Sequence, residues 1–154
     1  MQPRPFKVLG HRPHPALTDF PIVLFTLAWV AEVAYRVVPG RVPGDWPEWL
    51  LALALLAALP TAATGLWDYI CLPSGHSAQP TAVRHLALVA AALAAFGISW
   101  ILHFTKGPSI YTLLLGTGGE ILLLAGGWYG GELVFRYRVG VDPQGGGPSE
   151  PQGG

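Results

Sequence analysis

In 154 residues the chain sets nine Lys and Arg against nine Asp and Glu, a balance that leaves no basic patch for a nucleic-acid partner. With 51% hydrophobic and only 12% charged residues and a mean hydropathy of +0.43, against roughly 25% charged in a soluble domain, it reads as an integral membrane protein. The single Cys71 forms no internal disulfide and excludes a C-x-x-C-H haem attachment and a zinc ribbon.

The chain opens on the basic, proline-rich MQPRPFKVLGHRPHP and runs into an apolar stretch read as a retained span, a cleaved signal peptide being the alternative. Four segments, 16–38, 49–72, 83–104 and 111–135, reach the length of about 20 residues that a helix needs to cross a bilayer. They are joined by PGRVPGDWPE, PSGHSAQPTA and TKGPS, whose prolines and glycines punctuate helices. Connections this short make consecutive spans antiparallel neighbours. The expected fold is therefore an all-α membrane four-helix bundle over residues 1–141, in contact with the lipid bilayer. Residues 142–154, DPQGGGPSEPQGG, contain nothing to bury and are expected to be a disordered tail. No repeat with a period of about 20 to 50 residues is visible, which excludes solenoids and propellers.

Gly126 with Gly130, and Gly127 with Gly131, have the small-xxx-small spacing that lets membrane helices approach closely. Pro21 and Pro60 fall inside spans, where each should free a carbonyl for another partner. Arg4, Lys7, Arg12, Arg84, Arg136 and Arg138 lie on the face that holds both termini, against Arg36, Arg41 and Lys106 on the other, a bias that places the termini in the cytoplasm.

Antiparallel spans bring His11, His14, Asp19, Asp68, His76, Arg84, His85 and Glu132 to that terminal-bearing side. Ionisable groups at membrane depth are costly and so are paired or functional. His14 and His85 suit haem-iron or metal ligation, because a neutral imidazole nitrogen is the commonest ligand of this kind. Asp68 joins them as a cofactor-binding residue, and a metal ion would draw on His14, Asp19, Asp68, His85 and Glu132, the carboxylates as direct oxygen ligands or as partners that fix the histidine tautomer. The competing reading has the histidines among headgroups or bonded to a carbonyl, and Asp19 and Asp68 paired with Arg84 and Arg12. His11 and His76, in Pro/Gly-rich surroundings, fit that reading best.

The opposite face looks poorer, with His103 and Lys106 ending the third span and Trp46, Trp49 and Trp100 suiting an interfacial aromatic belt. Glu32 and Glu120 lie deeper. A lone buried carboxyl such as Glu120 is expected to be protonated or paired with His103 or Arg36, and could relay protons. GTGGE lacks the spacing and the Lys-Ser/Thr of a phosphate-binding loop, Ser74 beside His76 is no triad, and the HExxH zinc pattern is absent.

The stretches HPALTDFPI (14–22), AALPTAATGLWDY (57–69), RHLAL (84–88) and GGWYGGELVFRYRVGV (126–141) resemble the signature of an uncharacterised four-span bacterial membrane family, domain of unknown function 2231. Relatives carry a histidine, as in GGHLV, where this chain has Glu132, which weakens any scheme needing a histidine ligand from the fourth span. Some relatives are joined to Rieske-type iron–sulfur or other redox domains, so the resemblance implies electron transfer by association, although no such domain is read in this chain. Three readings follow. The leading one is a redox-associated subunit that binds haem b or a metal and meets a redox partner protein. The others are a structural or interaction subunit, and a small transporter component that, with so narrow a bundle, requires a homo-oligomer.

Overall fold

The computed structural model describes residues 3–141; the expected disordered tail lies outside them. Four helices run α1 Pro13–Val37, α2 Trp46–Ile70, α3 Gln79–Lys106 and α4 Ile110–Phe135, each long and apolar enough to cross a membrane. The first three start earlier than the apolar windows predict. Hydropathy marks where the hydrocarbon begins, whereas proline marks where a helix begins: Pro13, Pro47 and Pro80 sit at the first or second helical position, where a missing N–H costs nothing. α3 ends on Gly107, whose φ of +73° suits a residue without a Cβ. α4 starts on a reciprocal cap, Ser109 accepting from the Thr112 N–H while Thr112 Oγ1 accepts from the Ser109 N–H.

α1 packs along α2, and α3 along α4. The core is built from small residues, Ala28, Ala54, Ala58 and Ala92, around Phe25, Leu51, Phe96 and Leu123. Large apolar side chains such as Leu56, Leu124 and Trp128 point outward, as befits helices whose outer solvent is lipid. Phe25 and Phe96 stack across the middle of the bundle, with centroids 4.2 Å apart and planes 9° from parallel.

The two hairpins repeat one another. One constant shift in numbering carries His14, Ala16, Leu17, Phe25 and Trp29 of α1 onto His85, Ala87, Leu88, Phe96 and Trp100 of α3. The same shift carries the buried Pro21, Phe25, Ala28 and Glu32 onto the buried Ala92, Phe96, Ser99 and His103. A second shift carries Pro47, Leu51, Ala54, Ala58 and Thr61 of α2 onto Thr112, Gly116, Gly119, Leu123 and Gly126 of α4, again all buried. Since α1 and α3 run parallel, the quasi-twofold axis lies along the bundle. The repeat is longer than the periods that mark solenoids, and few identities carry it.

Pro21 lacks the N–H that would bond the Leu17 carbonyl, and Thr61 Oγ1 donates to that carbonyl at 3.2 Å, sharing its hydrogen with Ala57 O at 3.0 Å. The proline thus provides an acceptor that ties α1 to α2. Of the spaced glycine pairs, Gly126 and Gly130 face α3: a Cβ at Gly126 would lie 2.9 Å from Val89 Cγ2, and one at Gly130 3.1 Å from His85 Cε1. Gly127 and Gly131 meet nothing from another helix.

Candidate functional site

At the terminal-bearing end, the repeat places two imidazoles in equivalent settings. His14 Nδ1 lies 3.0 Å from Thr61 O, and its ring rests on Gly65, where a Cβ would come within 2.6 Å of Cε1. His85 Nδ1 lies 2.8 Å from Gly126 O, and its ring rests on Gly130. In each hairpin the accepting carbonyl stands one turn before the glycine. A carbonyl accepts only, so each Nδ1 carries the hydrogen, and in the neutral imidazole each Nε2 keeps its lone pair. His14 stands within electrostatic reach of both His85 and Asp68.

Two of the three carboxylates of this end have arginine partners. Asp68 accepts from Arg12 Nη1 at 3.2 Å, one of the pairs expected from sequence. Glu132 accepts from Arg136 Nη1 at 2.7 Å, one turn on, and holds that guanidinium above its ordinary range. Asp19 is exposed and forms no ion pair among the described residues. Arg84, its expected partner, lies instead over the Tyr129 ring, 6.0 Å from the centroid. Among the described residues, no three His, Cys, Asp or Glu side chains are grouped to hold a metal ion. In a medium that solvates charge poorly, Asp68 and Glu132 each take a guanidinium. His11 bonds the Leu9 carbonyl at the surface, and His76 Nδ1 accepts from the Ala78 N–H at the approach to α3.

The opposite end is richer than its sequence promises, and the expected partners of Glu120 belong to Glu32. Glu32, 3% exposed, faces His103, also 3% exposed, with Oε2 2.9 Å from Nε2. Its Oε1 accepts from Arg36 Nη2 at 2.6 Å and from Thr112 Oγ1 at 2.9 Å. Arg36 also donates to the Ser109 carbonyl. A buried carboxylate with a guanidinium, an imidazole and a hydroxyl around it meets the requirement that interior charge be compensated. The signal available beforehand was the spacing of Glu32 and Arg36, four residues apart on one helix. Glu120, 7% exposed, accepts only from Thr26 Oγ1, at 2.8 Å, and its Oε2 is buried with no hydrogen-bond partner.

Compared with known proteins, residues 10–143 match a family described as "Predicted membrane protein (DUF2231)", a match that takes in all four helices. No curated protein and no solved structure matches the chain.

Proposed function

This chain belongs to the DUF2231 family of predicted membrane proteins, whose description assigns no chemistry, and we propose from the site itself that it is a redox-associated membrane subunit in which His14 and His85 would hold a haem b. The carrying observation is that both imidazoles commit Nδ1 to a helix carbonyl, which fixes the tautomer and leaves Nε2 as the ligating atom. Two protein ligands suit a haem, whose other four come from the porphyrin, and fall short of the three or four that zinc takes. The pairing of Asp68 and Glu132 with arginines supports the same choice. When bound, such a group would supply one-electron chemistry; the protein's part is to fix each imidazole on a helix carbonyl and against a glycine too small to displace it. The reading places the termini on the cytoplasmic side, by the excess of Lys and Arg there, with a redox partner docking at that face.

Detergent-purified protein from haem-replete cells should give a Soret band that shifts on reduction and is lost in His14→Ala and in His85→Ala. No Soret band in the wild type, or a band that survives both substitutions, overturns the assignment. A second reading rests on the same two hydrogen bonds: each histidine staples one hairpin, and the protein is a structural subunit of a membrane complex. It predicts that both alanine variants lose stability alone, in a wild type without absorbance.

A further inference from the structure

Buried and half-buried polar groups of α1 and α4 form rungs along one seam. Beginning near the middle of the bundle, they are Thr26 with Glu120, Trp29 Nε1 donating to Thr117 Oγ1 at 3.0 Å, Thr112 with Glu32, and Arg36 with the Ser109 carbonyl at the loop-bearing face. The rungs follow the antiparallel register of the two helices, and Thr112 stands about 12 Å along α4 from Glu120 at 1.5 Å per residue. The corresponding α2 position to Glu120 is Leu55, so the repeat itself does not call for an acid there.

We propose that Glu120 carries a proton inside the membrane and that the α1–α4 seam is the path by which this proton exchanges with the loop-bearing face. Two buried side chains bear the argument. Glu120 meets no cation among the described residues, receives a single hydrogen bond on Oε1, and leaves Oε2 without a partner. An ionised carboxylate so placed is uncompensated, whereas a carboxylic acid is neutral and puts its hydrogen on the oxygen that lacks a donor. His103 Nε2 lies 2.9 Å from Glu32 Oε2, close but not aligned as a hydrogen bond, while its Nδ1 is buried with no hydrogen-bond partner. An imidazole with one nitrogen on a carboxylate and the other free can accept a proton at one and release it at the other.

The exchange balances without an oxidant or reductant. The Glu120 O–H bond breaks as an N–H bond forms on His103, the other nitrogen of His103 releases a proton toward the loop-bearing face at its pair with Glu32, and the reverse sequence reprotonates Glu120. The hydroxyls of Thr112 and Thr117 lie along the interval, and water bridging them would complete it. The titratable and charged groups facing this interior are Glu32 and Arg36 from α1 and His103 from α3, while α2 carries Glu48 in its first turn at the same end. The proposal does not depend on what His14 and His85 hold, since the seam runs to the other face.

Infrared spectra of the wild type at neutral pH should contain a carboxylic-acid C=O band that disappears in Glu120→Gln and shifts to higher frequency in Thr26→Val, where the hydrogen bond to Oε1 is removed. On transfer to D2O the Glu120 band should downshift as its hydrogen exchanges, and that exchange should slow by about tenfold or more in Thr117→Val, which removes a hydroxyl of the path. Glu120→Gln preserves shape, and its circular dichroism should match the wild type. A spectrum with no acid band assignable to Glu120 overturns the protonated carboxyl. A band whose exchange in D2O is unchanged by Thr117→Val overturns the path.

Discussion

Two adjacent glycines on α4 give a test of the packing that cancels its own uncertainties. A Cβ on Gly119 would fall 2.9, 3.0 and 3.1 Å from three ring atoms of Phe96, whereas one on Gly118 meets nothing within 4 Å. Phe96 cannot retreat freely: it is fully buried and its ring is stacked on Phe25. Replacing either glycine with alanine gains the same helix propensity, about 1 kcal/mol, so that term drops out of the comparison. What remains is the overpacking at position 119, about 1–3 kcal/mol, or roughly a five- to hundredfold difference in the unfolding constant at 1.4 kcal/mol per decade. The assay is reversible unfolding in mixed micelles with rising dodecyl sulfate fraction, followed by far-ultraviolet circular dichroism. Gly119→Ala should unfold at a lower fraction than Gly118→Ala, and Phe96→Leu should relieve part of the difference. If the two alanine variants unfold together, the placement of α4 against α3 is wrong.

Glu32→Ala strands Arg36, His103 and Thr112 without their acceptor and should cost about 3–5 kcal/mol in the same assay; adding His103→Leu should cost less than the sum of the single changes. Thr61→Val removes the donor to the Leu17 carbonyl and should cost about 0.5–1.5 kcal/mol. Arg12→Ala is worth roughly 0.2–1 kcal/mol, because its pair with Asp68 is partly exposed, and the loss should shrink as salt is added. Gly65→Ala sets a methyl group against the His14 ring and should remove any optical signal that His14→Ala removes, while Gly97→Ala, where nothing lies within 4 Å, should leave it intact.

The four spans were legible because hydropathy is a local property that survives any arrangement of the helices. The Arg12–Asp68 pair was legible for a related reason: antiparallel topology alone brings the start of α1 to the end of α2. Glu32 with His103 was not, because that contact crosses the bundle diagonal from α1 to α3, and only the rotation of each helix about its axis decides it. The same rotation turns Asp19 outward and leaves Glu120 to Thr26. Hydrogen bonding of His14 and His85 to carbonyls stood among the sequence alternatives, but their equivalence did not. The repeat hides in α2 and α4, where Leu51 and Ala54 correspond to Gly116 and Gly119, so burial matches while residue identity does not.

The quasi-twofold relation also governs which residues can face one another at the axis. Two copies of a single hairpin associating about a true twofold would confront every axial side chain with itself, so an acid could oppose only an acid and a base only a base. Carrying both hairpins in one chain lifts that restriction while retaining the geometry. At the level of Phe25 and Phe96 the two halves still present identical rings; one level on, equivalent positions hold Glu32 and His103, a complementary pair that no symmetric dimer of hairpins could form.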